Sequence, residues 1–571
     1  MNGAALELAL LLAVLTLLAL PLGRWIARVL EGDLGRVGRW LGPLERGLYR
    51  VCGVRADEEM SWSRYAGALL LFHGAGLLLL YLLQRAQGLL PLNPAGLPGV
   101  APDLALNTAM SFVTNTNWQS YGGETTLGHL VQAGGLTVQN FLSAAAGLAV
   151  AAALARGFTR AGVRALGNVW VDLTRATLYI LLPLSLLLSG LLLGQGVAQR
   201  WSAALEISPL QFVAEGSGPE LQRVAQGPVA SQVAIKQLGS NGGGFFNTNS
   251  AHPLENPSPL SNSLEWLAIL LLPVACLFAF GHWLRQRAHA WTLYAAVLLV
   301  FLPLLGLIAS QETAPNPAFA GLGLDERAGL LEGKELRFGA LESALWAGAT
   351  TATSNGSVNS MHDSFSPLGG LSLLVLMQVG EVAPGGAGSG LYGLLAFAVV
   401  AVFLAGLMVG RTPELLGKRL GAFEIRMAAL MILLPSLALL AGTALACLLP
   451  AARGAVANPG PHGFSEILYA FSSAANNNGS AFAGLAANQL FYNLALAACM
   501  AVGRFGVMIP ALALAGSLAA RSRTPETEGT LPASGPLFAL LLAGTILLVG
   551  ALTFLPALTL GPIVEHIQWL A

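Results

Sequence analysis

Four polar strings interrupt an otherwise apolar chain of 571 residues: TNTNWQSYGGE from Thr114, GSNGGGFFNTNSAHPLENP from Gly239, TSNGSVNSMHDSF from Thr353 and NNNGSAF from Asn476. Their residue types suit one chemistry. Glycine lets a backbone carbonyl point where other residues resist, and rings of such carbonyls replace the hydration shell of a cation. The candidate ion-contacting residues are Thr114, Asn115, Thr116 and Asn117 in the first string, and Ser240, Asn241, Gly242, Gly243 and Gly244 in the second. The third supplies Ser354, Asn355, Gly356 and Ser357, and the fourth Asn477, Asn478, Gly479 and Ser480. Thr116 stands where the other three have glycine, so the ring is not expected to be fourfold equivalent.

Charged groups sit beside these strings. Glu124, Glu255 and Asp363 follow the ion-contacting candidates of the first three, near the strings' outer ends. Carboxylates at a pore mouth would concentrate cations; alternatively they cap or pair locally, and Asp363 in MHDSF suits a helix N-cap. His252 and His362 show no metal-ligand spacing and read as hydrogen-bonding loop residues. Cys52, Cys276, Cys447 and Cys499 are far apart, form no metal motif and read as small buried hydrophobes.

A further interruption, MQVGEVAPGGAGSGLYG, places Gly380, Glu381, Pro384, Gly385, Gly386, Gly388 and Gly390 inside an apolar run. A broken helix there could gate or plug a pore below its binding site, with Gly380, Glu381, Gly385 and Gly386 as candidates. An intramembrane acid needs a partner, and Arg504 in GRFGVMIP is the best-placed cation. The competing reading has Arg504 snorkelling to the membrane surface. The glycines superficially offer GxGxG, but no strand precedes them, so no nucleotide site is expected.

The rest of the chain must hold these strings in a membrane. It is 55% hydrophobic and 10% charged, against about 25% charged in an ordinary soluble domain. Runs of roughly 20 apolar residues recur, without the alternation in ten-residue segments of a β-barrel. These features predict an all-α polytopic membrane protein with ten spans, near 4–23, 65–84, 132–155, 174–194, 262–284, 290–310, 368–410 (interrupted), 427–450, 485–516 and 535–557. The first run precedes rather than follows its arginines, Arg24 and Arg28, and reads as a retained helix rather than a signal peptide.

Formal net charge is zero, and no nucleic-acid partner is expected. The distribution of charge is more telling. Eight arginines from Arg24 to Arg64 and four from Arg156 to Arg175 fall on one side. Arg285, Arg287, Arg411, Lys418, Arg419, Arg426, Arg504, Arg521 and Arg523 join them, making 21 of the 29 basic residues. By the positive-inside rule this side is cytoplasmic, and both termini and all four polar strings face outside.

Aligned on Thr116, Gly242, Gly356 and Gly479, the strings lie 126, 114 and 123 residues apart. Each follows a short apolar stretch: DLALNTAMSFVT, PVASQVAIKQLG, LESALWAGATTA and SEILYAFSSAAN. These are too short to span and suit re-entrant half-helices, which can break the bilayer only where they line a cavity or are buried in protein. The unit is span, half-helix, polar loop, span, four times over. One transmembrane domain, 1–571, then comprises an extra first helix (1–30), repeats at 63–156, 172–285, 288–411 and 425–517, and a last helix with its tail (533–571). Four half-helices aiming partly negative C-termini at one axis predict a pseudo-fourfold, potassium-channel-like pore.

The long strings TNTNWQSYGGE, GSNGGGFFNTNSAHPLENP, NGSVNSMHDSF and NNNGSAFAGL, in this order, resemble the potassium-binding A subunit of the bacterial Kdp potassium-transporting ATPase over essentially the whole chain. The resemblance implies a potassium-selective component of an inner-membrane uptake pump. Potassium would be taken from outside and passed through an intramembrane tunnel to the B subunit, a P-type ATPase; the C subunit, and sometimes a small F subunit, would complete the complex. It also implies that Gln119 shapes affinity and that an acid–arginine pair equivalent to Glu381–Arg504 lies near the gate.

Accumulating a cation against its gradient needs an energy source, since moving one charge costs about 2.3 kcal/mol per 100 mV. The sequence has no GxxxxGK[ST] loop and no DKTGT string, and GLLEGKEL around Lys334 fails the first pattern. The chain is therefore expected to be a non-catalytic subunit whose only ligand is potassium. A Trk/Ktr-type channel or symporter, acting without an ATPase, is the alternative; a membrane scaffold is the third reading.

Overall fold

The computed structural model describes residues 2–208, 221–317, 322–323, 328–410, 412–525 and 531–570, so Arg411 lies outside the described residues. Among them, ten helices are long and apolar enough to cross a membrane: Ala5–Glu31, Trp62–Leu89, Val131–Thr159, Val169–Gly194, Pro259–Leu284, Arg287–Glu312, Ser389–Met408, Ala422–Leu448, Leu490–Ala520 and Pro536–Leu570. They are called the first to tenth spans below. Four shorter helices, Pro102–Val113, Val229–Leu238, Gly339–Ala352 and Pro461–Asn476, each end where a polar string begins. At about 1.5 Å per residue none of these half-helices could cross a bilayer.

Local sequence explains the starts. Pro102 and Pro461 occupy the first turn of their half-helices, where a missing N–H costs nothing. The fifth span opens on a reciprocal cap in which Ser261 N–H donates to Ser258 Oγ at 3.1 Å and Ser258 N–H to Ser261 Oγ at 2.9 Å.

The third and fifth spans form the centre, with 83% and 72% of their apolar windows buried; the first span has 11%. Every alanine from Ala144 to Ala155 is buried, and such small residues let neighbouring backbones approach closely. The first span packs along the fifth, the eighth along the ninth, and the tenth against the sixth and seventh.

The expected break in the seventh span is present. A short helix, Pro367–Gln378, stops, and the seventh span starts at Ser389. Between them Gly380, Glu381, Gly385 and Gly388 all have positive φ. One further element escaped the hydropathy reading: the helix Val37–Val51, too short to span. Its buried Glu45 accepts from Tyr179 Oη at 2.7 Å, Tyr49 Oη at 2.8 Å and Arg175 Nε at 3.0 Å, clamping it to the fourth span. The cysteines divide: Cys276 and Cys499 are buried as expected, whereas Cys52, just past this helix, is exposed and Cys447 half-buried.

Candidate cation site

The four strings close into one ring, and side-chain amides stitch it. Asn115 Nδ2 donates to Ser240 O at 2.6 Å, and Asn241 Nδ2 returns a bond to Asn115 Oδ1 at 2.6 Å. Asn355 Nδ2 reaches back to Lys236 O at 3.1 Å, and Asn478 Nδ2 to Thr350 O and Thr353 O at 2.8 Å each. Asn477 Nδ2 closes the circle on Thr116 Oγ1 at 2.9 Å. Each string is thus joined to both neighbours. Several of these amides occupy carbonyls at half-helix C-termini, where backbone acceptors otherwise lack partners.

Glycine is required at the centre of three strings. A Cβ on Gly242 would lie 1.7 Å from Asn355 O, one on Gly356 2.1 Å from Asn478 O, and one on Gly479 2.1 Å from Thr116 O. All three have positive φ. The first string uses Thr116 instead, whose Oγ1 lies 2.7 Å from Thr114 Oγ1. Asn115 and Asn117 carry the positive φ there.

The third and fourth strings repeat one local device. Asn355 Oδ1 accepts from Ser357 N at 3.0 Å and Ser357 Oγ at 2.5 Å; Asn478 Oδ1 accepts from Ser480 N at 3.1 Å and Ser480 Oγ at 2.5 Å. Outer carbonyls are tied from behind: Trp346 Nε1 donates to Ser357 O at 2.8 Å, and Ser111 Oγ to Trp118 O at 2.9 Å. Gln119 forms a two-way bridge to the second string, with Gly244 N–H donating to its Oε1 at 2.9 Å and its Nε2 donating to Gly244 O at 3.1 Å. Gly243 backs onto Asn117, whose Nδ2 would lie 2.8 Å from an added Cβ.

The ring separates two spaces. On one side a vestibule of about 550 Å³ is lined by Asn117, Gly242, Gly356 and Gly479, one residue from each string. On the other, a cavity of about 70 Å³ is lined by Ser354, Asn477, Glu381 and Arg504. The break in the seventh span sits on this second side. Glu381 accepts from Ser354 Oγ at 2.5 Å and Asn478 Nδ2 at 2.7 Å. Gly385 N–H donates to Ala352 O at 2.9 Å, and Ala387 N–H to Ser240 Oγ at 3.2 Å. The break therefore holds three of the four strings; Gly386 lies directly against Ser354.

The expected Glu381–Arg504 pair is not formed. Glu381 spends its oxygens on the third and fourth strings, while Arg504 Nη2 donates to Ser143 O of the third span at 2.7 Å. Arg504 is also buried, so it neither snorkels nor belongs with the basic residues of the loops. The two share the small cavity without touching.

The outer carboxylates need correction as well. Glu255 is wholly buried, paired with the wholly buried Lys236, and accepts from Phe246 N–H at 2.9 Å. Lys236 Nζ also donates to Asn249 Oδ1 at 2.6 Å and Ser250 Oγ at 2.9 Å, and Asn249 Nδ2 donates to Gly242 O at 2.6 Å. Glu255 is thus a strut behind the second string, not a mouth group. Asp363 does not cap the next helix; Ser366 does. It lies 3.1 Å from His462 Nε2 and lines a separate outer cavity of about 600 Å³. Glu124 is half-buried and accepts from Asn247 N–H at 2.9 Å; burial raises its carboxyl above the ordinary range. Among the described residues, the carboxylate lining the vestibule is Glu335, which no string contains.

The loop histidines hold their neighbours. His252 stacks on Phe246 with centroids 3.7 Å apart, and His362 Nδ1 lies 2.8 Å from Tyr469 Oη. Lys236 is the residue that sequence reasoning missed, and its signal is a lone cation in an otherwise uncharged half-helix.

Residues 9–567 match the family described as potassium-transporting ATPase A subunit. The chain is 59% identical to a potassium-transporting ATPase potassium-binding subunit of Sorangium cellulosum over 99% of both chains. It is 58% identical to one of Anaeromyxobacter dehalogenans over 100% of this chain and 99% of that one. Among solved structures it resembles the potassium transporter TrkH from Vibrio parahaemolyticus, with a TM-score of 0.52 at 15% identity, covering 87% of this chain and 96% of the other; that likeness concerns the fold alone. The chain belongs to the family of potassium-transporting ATPase A subunits.

Proposed function

We propose that this chain takes potassium from the outer side of the bacterial inner membrane into the ring formed by the four strings, and delivers it to a P-type ATPase partner. The observation that carries this reading is the ring between vestibule and small cavity, with the break of the seventh span bonded to its underside. In sequence terms the ring is built by the repeats 63–156, 172–285, 288–411 and 425–517. The vestibule collects the ion. Backbone oxygens held in place by amide stitches replace its water, and the half-helix C-termini favour positive charge there. Gln119 fixes the spacing of the first two strings at the outer end. The cavity beneath has room for only a few waters, and the glycine-rich break with Glu381 opposes a straight passage across the membrane.

A plugged ring suits one part of a pump better than a channel. The ion must leave sideways into a partner that supplies energy, which we identify as the B subunit of the Kdp complex, with the C and small F subunits completing the assembly. Both termini lie on the outer side in this reading, because the arginine-rich loops lie opposite the vestibule.

The test is purification of the tagged chain from its native membrane in mild detergent, with ATP hydrolysis measured in potassium and in sodium. A co-purifying phosphorylated partner and potassium-stimulated hydrolysis are expected. A lone chain that conducts potassium in liposomes without hydrolysis would establish the channel reading instead.

A further inference from the structure

At the end of the membrane opposite the ring mouth, the first, fifth and sixth spans enclose a cavity of about 400 Å³ that takes no part in the ion path. Arg24, His282 and Arg287 converge on it. Neither arginine makes a hydrogen bond or ion pair among the described residues, whereas Arg28 of the same span pairs with Asp33, and Arg156 with Asp172. Arg287 also opens the sixth span, and the preceding Gln286 gives its first turn no side-chain cap. The free N–H groups of that turn add partial positive charge to the two guanidinium groups. The floor is apolar, formed by Leu20, Phe278 and Ala290.

We propose that this cavity binds the phosphate-bearing headgroup of an anionic glycerophospholipid from the adjoining leaflet. The level is right: Arg24 lies about 29 Å along its helix from Ala5, one hydrocarbon thickness away. Trp291 is on the same lip, 46% exposed and edge-on to Phe278 with centroids 5.1 Å apart, as aromatic residues are at membrane interfaces. The first span turns Leu17 and Leu18 outward, so the apolar floor continues into the surface that meets acyl chains. Inorganic phosphate would satisfy the arginines but leave that floor uncovered; a lipid satisfies both. Basic pockets between helices at this depth are typical headgroup sites.

The test uses native mass spectrometry of the detergent-purified full chain and of its assembled complex, with phosphatidylglycerol, phosphatidylcholine or inorganic phosphate added. The variant is Arg24→Gln with Arg287→Gln. The control, Arg39→Gln with Arg50→Gln, removes the same charge from exposed positions on the helix Val37–Val51. Wild type should retain a tightly held phosphatidylglycerol in preference to phosphatidylcholine. At roughly fivefold per arginine, the pocket variant should lose tenfold or more in that affinity with an unchanged thermal midpoint, while the control keeps it. Equal loss in both variants, equal retention of both lipids, competition by inorganic phosphate at matching concentration, or absence of the lipid from the assembled complex because a partner chain fills the cavity would each overturn the proposal.

Discussion

The side-chain amide of Asn478 and the carboxylate of Glu381 meet at 2.7 Å, across the boundary between the fourth string and the break in the seventh span. The ring and the segment beneath it are therefore one hydrogen-bonded body. Ser354 Oγ and Asn478 Nδ2 both donate to Glu381. In Glu381→Met both donors lose their acceptor. Leaving a buried donor without its acceptor costs about 1–3 kcal/mol, so half-saturation by potassium should rise about tenfold or more while the complex still assembles. Potassium titration of ATP hydrolysis by the purified complex checks this; an unchanged half-saturation would remove Glu381 from the support of the ring.

Gly356→Ala places a methyl 2.1 Å from Asn478 O at a residue with φ of +78°. Nothing there can yield except the neighbouring string's backbone, so the ring must widen. Discrimination between potassium and sodium should fall at least tenfold, read as the ratio of their half-saturating concentrations for hydrolysis. Gly190→Ala, with no atom within 4 Å, is the control and should behave as wild type.

Much of this arrangement was legible because the bilayer punishes irregular backbone. Asn/Gly strings after short half-helices have few places to go in a membrane, and the four units, ten spans and interrupted seventh span followed from that constraint. What was not legible depended on which side chain reached which neighbour. Glu255 lies near the end of a polar string in sequence, like Glu124, yet it turns inward because Lys236 is buried opposite it. Glu381 and Arg504 are the expected opposite charges in the same cavity, but Ser354 and Asn478 satisfy the acid and the carbonyl of Ser143 satisfies the base. The helix Val37–Val51 escaped because hydropathy registers spans, whereas this helix is amphipathic and clamped by Glu45.

The strut behind the second string can be separated from simple stability. Lys236→Met leaves Glu255 buried and unpaired, which should cost about 3–5 kcal/mol and lower the thermal midpoint in detergent. The double variant Lys236→Met/Glu255→Met removes both charges and should recover most of that midpoint. It still leaves Asn249 without the ammonium that orients it against Gly242 O. Potassium half-saturation should therefore stay elevated in the double variant even with stability restored; a return to wild type would make the pair purely a packing device.

His462 bridges two carboxylates, with Nδ1 2.7 Å from Glu565 Oε1 and Nε2 3.1 Å from Asp363 Oδ1. Burial disfavours its charged form, but bonds to Asp363 and Glu565 and their charge outweigh this and raise its pKa to about 10. An unfolded histidine titrates near 6.5. Because the folded value is the higher one, the bridge stabilises fully below about pH 6.5. Its contribution declines as pH rises and is gone above about pH 10. The thermal midpoint of wild type should therefore fall more steeply than that of His462→Gln between about pH 7 and pH 10. Amide protection, measured against the intrinsic exchange rate at each pH, should fall over the same window in wild type alone in the segment around Glu565, which the bridge ties to the fourth half-helix. Parallel pH profiles for the two proteins would show that the bridge does not hold the tenth span in place.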